Sequence, residues 1–445
     1  MDVQDPSVLE QPEDQLETSF DWKEHWYPVS FRRDLPKGKP FGFQVHDLKL
    51  VLFEDDDGKL SCLRDRCPHR AARLSDGQIR DGRLECLYHG WQYDGSGDCL
   101  FIPQMLEGKD YPIRSCVDSF ELEEKNGIVW VYPGERSAAD PDRIPFIEGS
   151  DAPDIFDVTF QMDLPYDQSY LIENVIDIAH IHIAHDGVRG GGVREAAKPL
   201  EFKILKSDIE GIKATFRTIG LKRAEGDPEI GGALVEFRAP NLVCYTSQYA
   251  DSDLVAGLEL YSLPMGKGRC RLLYRKFSNF APLWERLKPR WLEHQTQMLI
   301  LEQDMNVVIG QHEEIELDGR HVRDVWLPIK TSDRLVIAYR KWLDQFGEGL
   351  PFYRGFSSAK DSGLEPQSRK VDMSRRALHT QICGTCSKLL MQLKWGLWIS
   401  AIVTVLAFSA AILAIPAAGP VGLFVSLALL SGLAAAVCGY GQTRL

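Results

Sequence analysis

The chain has 445 residues, 44% of them hydrophobic and 26% charged, proportions that exclude wholesale disorder, collagen-like repeats and a disulfide mini-scaffold. Its net charge of −13 reflects 64 acidic against 51 basic residues, and seven of the acids, with no base, fall within residues 1–21. The remaining −6 supplies no basic stripe, so nucleic acid is excluded as a partner.

In chain order, residues 1–20 read as an acidic tail. A transit peptide is Arg-rich and acid-poor, and a secretory signal is basic and then apolar; this start is expected to be neither. Ten scattered cysteines fit a reducing compartment better than a secreted disulfide framework. Residues 21–150 are predicted to be β-rich, with strands over Lys49–Phe53 and Gly127–Tyr132, a turn at Asp55–Gly58 and a stop at Pro133-Gly134. Residues 151–356 mix strands with helical stretches, the longest predicted from about Leu287 to Gln311. Residues 357–394 read as a linker, polar over its first part and carrying Cys383-Gly384-Thr385-Cys386.

From Trp395 to Thr443 there is no charged residue. Two apolar runs, Leu397–Ile415 and Val421–Cys438, flank Pro416-Ala417-Ala418-Gly419-Pro420. At 1.5 Å per residue the first run spans about 28 Å, close to the thickness of a bilayer's hydrocarbon core. A two-helix transmembrane hairpin over residues 395–440 is therefore predicted, with a buried hairpin in a soluble core as the alternative. Arg375, Arg376, Lys388, Lys394 and Arg444 flank its outer ends, which places the bulk of the chain on the cytoplasmic side.

Two constellations carry chemistry. The first is Cys67-Pro68-His69-Arg70, followed by Cys86-Leu87-Tyr88-His89-Gly90-Trp91. A zinc finger groups its cysteines and its histidines separately, whereas each box here mixes one of each. That mixture suits a Rieske [2Fe–2S] cluster, in which two thiolates hold one iron and two imidazoles the other. Cys62 and Cys99 lie near the boxes but outside the loops, so no disulfide brace is expected there.

The second is Asn174-Val175-Ile176-Asp177-Ile178-Ala179-His180-Ile181-His182-Ile183-Ala184-His185. Non-heme Fe(II) sites that use O₂ take two histidines and one carboxylate and leave positions open. His180 and His185 are the candidate pair. On a regular helix they would point about 140° apart, so a π-bulge or a helix end is expected between them. His182 reads as packing, and the carboxylate is sought in Glu302-Gln303-Asp304. Asp177, one turn before His180, is placed to hydrogen-bond that imidazole or a cluster histidine arriving from outside.

Taken together, Cys67-x-His69, Cys86-x-x-His89 and Asn174-x-x-Asp177-x-x-His180-x-x-x-x-His185 resemble the Rieske non-heme iron oxygenases. Trp22-Lys23-Glu24-His25-Trp26-Tyr27-Pro28, the Cys383/Cys386 pair and the hairpin narrow the resemblance to the pheophorbide a oxygenase-like group. The resemblance implies an α+β chain: a β-rich Rieske domain on a helix-grip (START-like) catalytic domain, with a C-terminal two-helix transmembrane hairpin. It favours Asp304 over Glu302 as third iron ligand and Asn174 as a neighbour of the iron. It implies a homotrimer in which His89 of one subunit meets Asp177, and through it His180, of the next. Ferredoxin would donate electrons, docking around Arg64, Arg66 and Arg70. The activity implied is monooxygenation by O₂ of a chlorophyll-derived tetrapyrrole, of the pheophorbide a or chlorophyllide type.

Cys383 and Cys386 have the spacing of a redox pair that thioredoxin could read, the alternative being an inert pair in a juxtamembrane linker. The glycine-rich run after His185 lacks a phosphate-binding pattern and reads as a loop beside the site. The acidic start points to a cyanobacterium-like version or a processed form. The membrane would be thylakoid or plasma membrane in the first case, and a plastid membrane if the chain is plastid-targeted. The rival functions are a membrane-tethered Rieske electron carrier and a redox-sensing subunit, neither of which needs a third, mononuclear iron.

Overall fold

The computed structural model describes residues 20–106, 108–188, 191–218, 230–249, 253–363, 371–414 and 421–445. All but the last residue of the expected acidic tail, and the expected turn at Pro416–Pro420, lie outside them.

The N-terminal domain contains β1 (Tyr27–Phe31), β2 (Phe41–Val45), β3 (Leu48–Glu54), β4 (Leu60–Arg64), β5 (Gln78–Arg80), β6 (Arg83–Glu85), β7 (Gln92–Tyr93), β8 (Cys99–Phe101), β9 (Ser119–Lys125) and β10 (Ile128–Tyr132). One sheet runs β1-β10-β9-β4-β3-β2, and β5 to β8 form a second, smaller one. Ile128-Val129-Trp130-Val131-Tyr132 is apolar and buried at every position, the pattern of a strand covered on both faces. Ile128, Trp130 and Tyr132 pack with Leu242, Tyr261 and Leu273 of the catalytic domain, while Val129 and Val131 pack with Tyr27, Val45 and Leu52 of their own. The two-residue period of β10 thus makes one strand part of both cores.

The catalytic domain is a seven-stranded antiparallel sheet: β11 (Phe156–Leu164), β12 (Leu200–Asp208), β13 (Gly211–Thr218), β14 (Ile230–Arg238), β15 (Leu242–Tyr249), β16 (Val255–Pro264) and β17 (Cys270–Ser278). Their order is β11-β17-β16-β15-β14-β13-β12, which leaves β11 at an edge. Between β11 and β12 come α1 (Gln168–Ile176) and α2 (Ile181–Ala184); after β17 come α3 (Leu283–Leu287), α4 (Arg290–Asp318), α5 (Val322–Val325) and α6 (Arg334–Phe346). Pro289 precedes α4 and Gly319 ends it at φ 68°, so the helix starts and stops where a missing N–H and a left-handed residue permit. Its 29 residues bury Met298, Leu301, Met305, Val308 and Ile315 in the sheet's core, a stripe at helical spacing. This is the expected α+β, helix-grip arrangement.

The segment after α6 corrects the linker expectation. It contains α7 (Arg375–Leu378), and His379, Thr380, Cys383 and Cys386 are all buried. Its contacts are long-range, such as His379 Nδ1 to the Gln161 carbonyl at 2.6 Å, and periodicity does not report such contacts. The hairpin also begins earlier than expected: α8 spans Gly384–Ala414 and α9 Val421–Arg444. Both are long and apolar enough to cross a membrane. Leu406, Leu413, Leu423, Leu429 and Leu433 are more than 60% exposed, an apolar surface of the kind that a membrane or a partner covers. Between the two helices, Thr404 and Ser431 share a 2.8 Å hydrogen bond.

Candidate metal centres

The Cys67–His69 box lies on the loop between β4 and β5, and the Cys86–His89 box between β6 and β7. The loops close alike. The Ala71 N–H donates to the Cys67 carbonyl and the Cys67 N–H to that of Ala72; the Gly90 N–H donates to the Cys86 carbonyl and the Cys86 N–H to that of Trp91. Each needs one left-handed residue, Ala71 at φ 57° and Gly90 at φ 74°. Both thiols are buried, whereas His69 and His89 are half-buried with rings 4.4 Å apart. Trp91 stacks flat on His69 at 4.9 Å, and the Tyr93 hydroxyl sits 3.3 Å from Cys67 Sγ. Hydrogen bonding from the Cys86 thiol, aided by Tyr93, draws Cys67 down to about 5, a thiolate ready for a metal. Cysteines inward and histidines outward fit a two-iron cluster whose imidazole-bound iron faces a partner.

The second site forms where α1 ends. Asp177 caps α1, and its Oδ1 accepts from the Ala179 N–H at 2.8 Å. This turn starts α2 afresh just before His180, and α2 ends at Ala184, so the two histidines sit at the ends of one short helix with His185 as its C-cap, off helical backbone values (φ −110°, ψ 26°). The expected helix end is therefore present. His180 Nε2 lies 3.7 Å and His185 Nε2 3.2 Å from the same oxygen, Asp304 Oδ1. The three donor atoms lie within 4.8 Å of one another, and two neutral nitrogens with one carboxylate suit non-heme Fe(II). The hydrogen bond to the Asp304 carboxylate raises the His185 pKa.

The neighbours fix the rings. Gln303 Oε1 is 3.0 Å from His185 Nδ1, which leaves Nε2 as the donor. Asp177 Oδ2 is 3.5 Å from His180 Nδ1, a contact too long for a strong hydrogen bond. Glu302 is held in a two-pronged ion pair by Arg375 and so points away from the triad. His182 Nδ1 accepts from the Val193 N–H, in keeping with a packing role. Asn174, Asp177, His180 and Asp304 line a cavity of about 470 Å³, whose other walls include Val308 and Trp326. Val307 and Leu327, which also line it, are each more than 60% exposed. Behind it, buried Glu173 pairs with fully buried Arg340 and accepts from Gln311.

Sequence reasoning missed two residues. His294 and His379 are fully buried and lie with Cys383 and Cys386 in a second compact cluster, so the cysteine pair is not in an exposed linker. His294 stands on the α4 stripe four residues before Met298, where an imidazole among apolar residues was a legible signal. His379 carried none.

Residues 25–120 match the Rieske [2Fe-2S] domain family and residues 237–321 the pheophorbide a oxygenase family. Protein TIC 55 of Arabidopsis thaliana is 37% identical over 356 residues, covering 78% of this chain and 65% of that protein; the chain thus spans just under two thirds of that relative's length. Pheophorbide a oxygenase of Oryza sativa subsp. japonica is 32% identical over 420 residues, covering 86% of this chain and 76% of that one. The structure of dicamba monooxygenase bound to 3,6-dichlorosalicylic acid superposes with a TM-score of 0.60 at 21% identity, over 74% of this chain and 98% of that one, and so shares the fold. The chain belongs to the pheophorbide a oxygenase family of Rieske non-heme iron oxygenases.

Proposed function

We propose that this chain is a membrane-anchored monooxygenase that uses O₂ and electrons from ferredoxin to oxygenate a flat, apolar, chlorophyll-derived tetrapyrrole. The observation that carries the reading is the His180, His185 and Asp304 triad opening onto a cavity with an apolar rim. A pure electron carrier has no use for such a cavity.

Cys67, His69, Cys86 and His89 would hold the cluster, and His180, His185 and Asp304 the single iron. The two groups together supply one-electron transfer and O₂ activation. The chain's own residues do the rest. Gln303 orients the His185 imidazole, and Asp177 Oδ2, 3.5 Å from His180 Nδ1, would hold a proton there on closing by a few tenths of an ångström. Trp326, Val308 and Val336 present apolar walls that exclude water and align a planar substrate. Leu87 and Tyr88, each 61% exposed, flank His89 on a tip that suits docking against Asp177 of a neighbouring subunit in a trimer. Exposed Arg64, Arg66 and Arg70 offer an acidic ferredoxin a surface beside the cluster. The chloroplastic relatives and the exposed apolar hairpin favour a plastid or thylakoid-type membrane, with the basic flanks of α8 and α9 on the side of the catalytic domain. A tetrapyrrole that partitions into lipid would meet a tethered site at high local concentration.

The test is incubation of the iron-loaded chain with ¹⁸O₂, ferredoxin, its reductase and a panel of chlorophyll precursors and breakdown products. One ¹⁸O atom in the product from one panel member is expected. Silence from a chain carrying three irons would overturn the tetrapyrrole assignment, and silence with only two irons would favour the electron carrier.

A further inference from the structure

The second cluster lies at the junction of three elements. His294 comes from the first turns of α4, His379 from the residue after α7, and Cys383 and Cys386 from the start of α8. All four are at most 1% exposed, and their donor atoms lie within 4.8 Å of one another. His294 Nδ1 is 3.3 Å from Cys386 Sγ and 3.5 Å from Cys383 Sγ, and His379 Nε2 is 3.3 Å from Cys386 Sγ. With Zn–S near 2.3 Å and Zn–N near 2.0 Å, a tetrahedral site has nitrogen-to-sulfur edges of about 3.5 Å. The spacing is that of a metal cage.

The surroundings are also those of a ligand set. β11 is an edge strand, and its outward carbonyls at Thr159 and Gln161 need donors. His294 Nε2 meets the first at 3.0 Å and His379 Nδ1 the second at 2.6 Å. Each imidazole therefore spends one N–H on the strand and turns its other, unprotonated nitrogen toward the thiols. The Cys386 N–H points at Cys383 Sγ at 3.5 Å, which settles charge on a thiolate. The intervening residues are pinned as well: the Gly384 N–H donates to Asp34 Oδ1 at 2.9 Å, and Arg290 bridges Asp34 and Thr385. Two thiolates and a divalent cation sum to zero charge, the balance a dry site needs.

We infer that His294, His379, Cys383 and Cys386 form a closed, structural Zn(II) site that clasps the membrane hairpin to the catalytic domain. Zinc is favoured because two sulfurs and two nitrogens in a tetrahedron are its structural ligand set, and no donor position is left for water or substrate. Binding displaces the two thiol protons to solvent and changes no oxidation state. The clasp joins α8 to α4, the helix that also carries Asp304 ten residues on, about 15 Å along its axis. A thioredoxin-read switch at the same cysteines requires instead that buried sulfurs be reachable and form a disulfide.

The test uses the full chain purified in nanodiscs without added zinc or chelator, with metals counted by mass spectrometry and the zinc X-ray absorption edge recorded. The expected result is one zinc per chain beside the irons, with two sulfur and two nitrogen neighbours. Cys386→Ser should lower bound zinc at least tenfold and speed proteolysis near residue 383. Should that variant fail to fold, Cys383→His should retain zinc with one sulfur and three nitrogen neighbours. Substoichiometric zinc in the wild-type chain, an additional iron in its place, or a Cys383–Cys386 disulfide that thioredoxin reduces would each overturn the inference.

Discussion

Helix α4 carries two ligand clusters, and they are built to opposite ends. Near its start, His294 joins three other donors in a dry cage with every ring nitrogen occupied. Near its middle, Asp304 joins only two histidines, and the group faces a cavity of about 470 Å³. A closed four-donor set stabilises a fold, while an open three-donor set leaves room for O₂ and substrate. The contrast also explains the neighbours. Backbone carbonyls of β11 orient the closed site, whereas side chains stand at the open one, Gln303 hydrogen-bonded to His185 and Asp177 facing His180 at 3.5 Å.

The sharpest way to break this contrast is to empty the open site. His180→Ala should reduce the iron count from three to two per chain and bring ¹⁸O incorporation to background, with the Rieske electron paramagnetic resonance signal and the zinc unchanged. Retained turnover would remove His180 from the site. Next in size, Asp177→Asn should cut product formation by about 100-fold while every metal stays bound, because it removes the carboxylate that faces His180 rather than a ligand. Loss of iron from that variant would make Asp177 a ligand and merge the two roles. Chelation gives a graded comparison: dialysis against a chelator should strip the open iron well before the buried zinc, read by metal analysis over time. At the small end, Glu302→Gln loses only a partly buried pair with Arg375, so thermal unfolding should report no more than about 1 kcal/mol, with iron content intact. A drop in iron would transfer the ligand role from Asp304 to Glu302.

The two regions also differed in how legible they were. The Rieske boxes are local, each donor pair lying within four residues, and the short, unbroken β-branched and aromatic run of β10, stopped by Pro133-Gly134, marks a buried strand. His180, His185 and Asp177 were readable for the same reason. Asp304 was narrowed by resemblance, though its place on the Leu301–Met305–Val308 stripe gives a physical ground, since an unpaired carboxylate there would be costly. The closed cluster was half visible. Its cysteines announced themselves by spacing, but its histidines lie 85 residues apart, one in a helix and one in a stretch without periodicity. What joins them is the free edge of β11, which exists only once the sheet has formed.

The most direct test sets two variants side by side in nanodiscs, each assayed for zinc, iron and ¹⁸O-labelled product. Asp304→Ala is expected to keep its zinc and lose one iron and all product; Cys386→Ser is expected to lose its zinc yet keep turnover per iron-loaded chain. Turnover surviving in Asp304→Ala, or abolished in Cys386→Ser chains that retain all three irons, would contradict the division of α4 into a catalytic and a structural end.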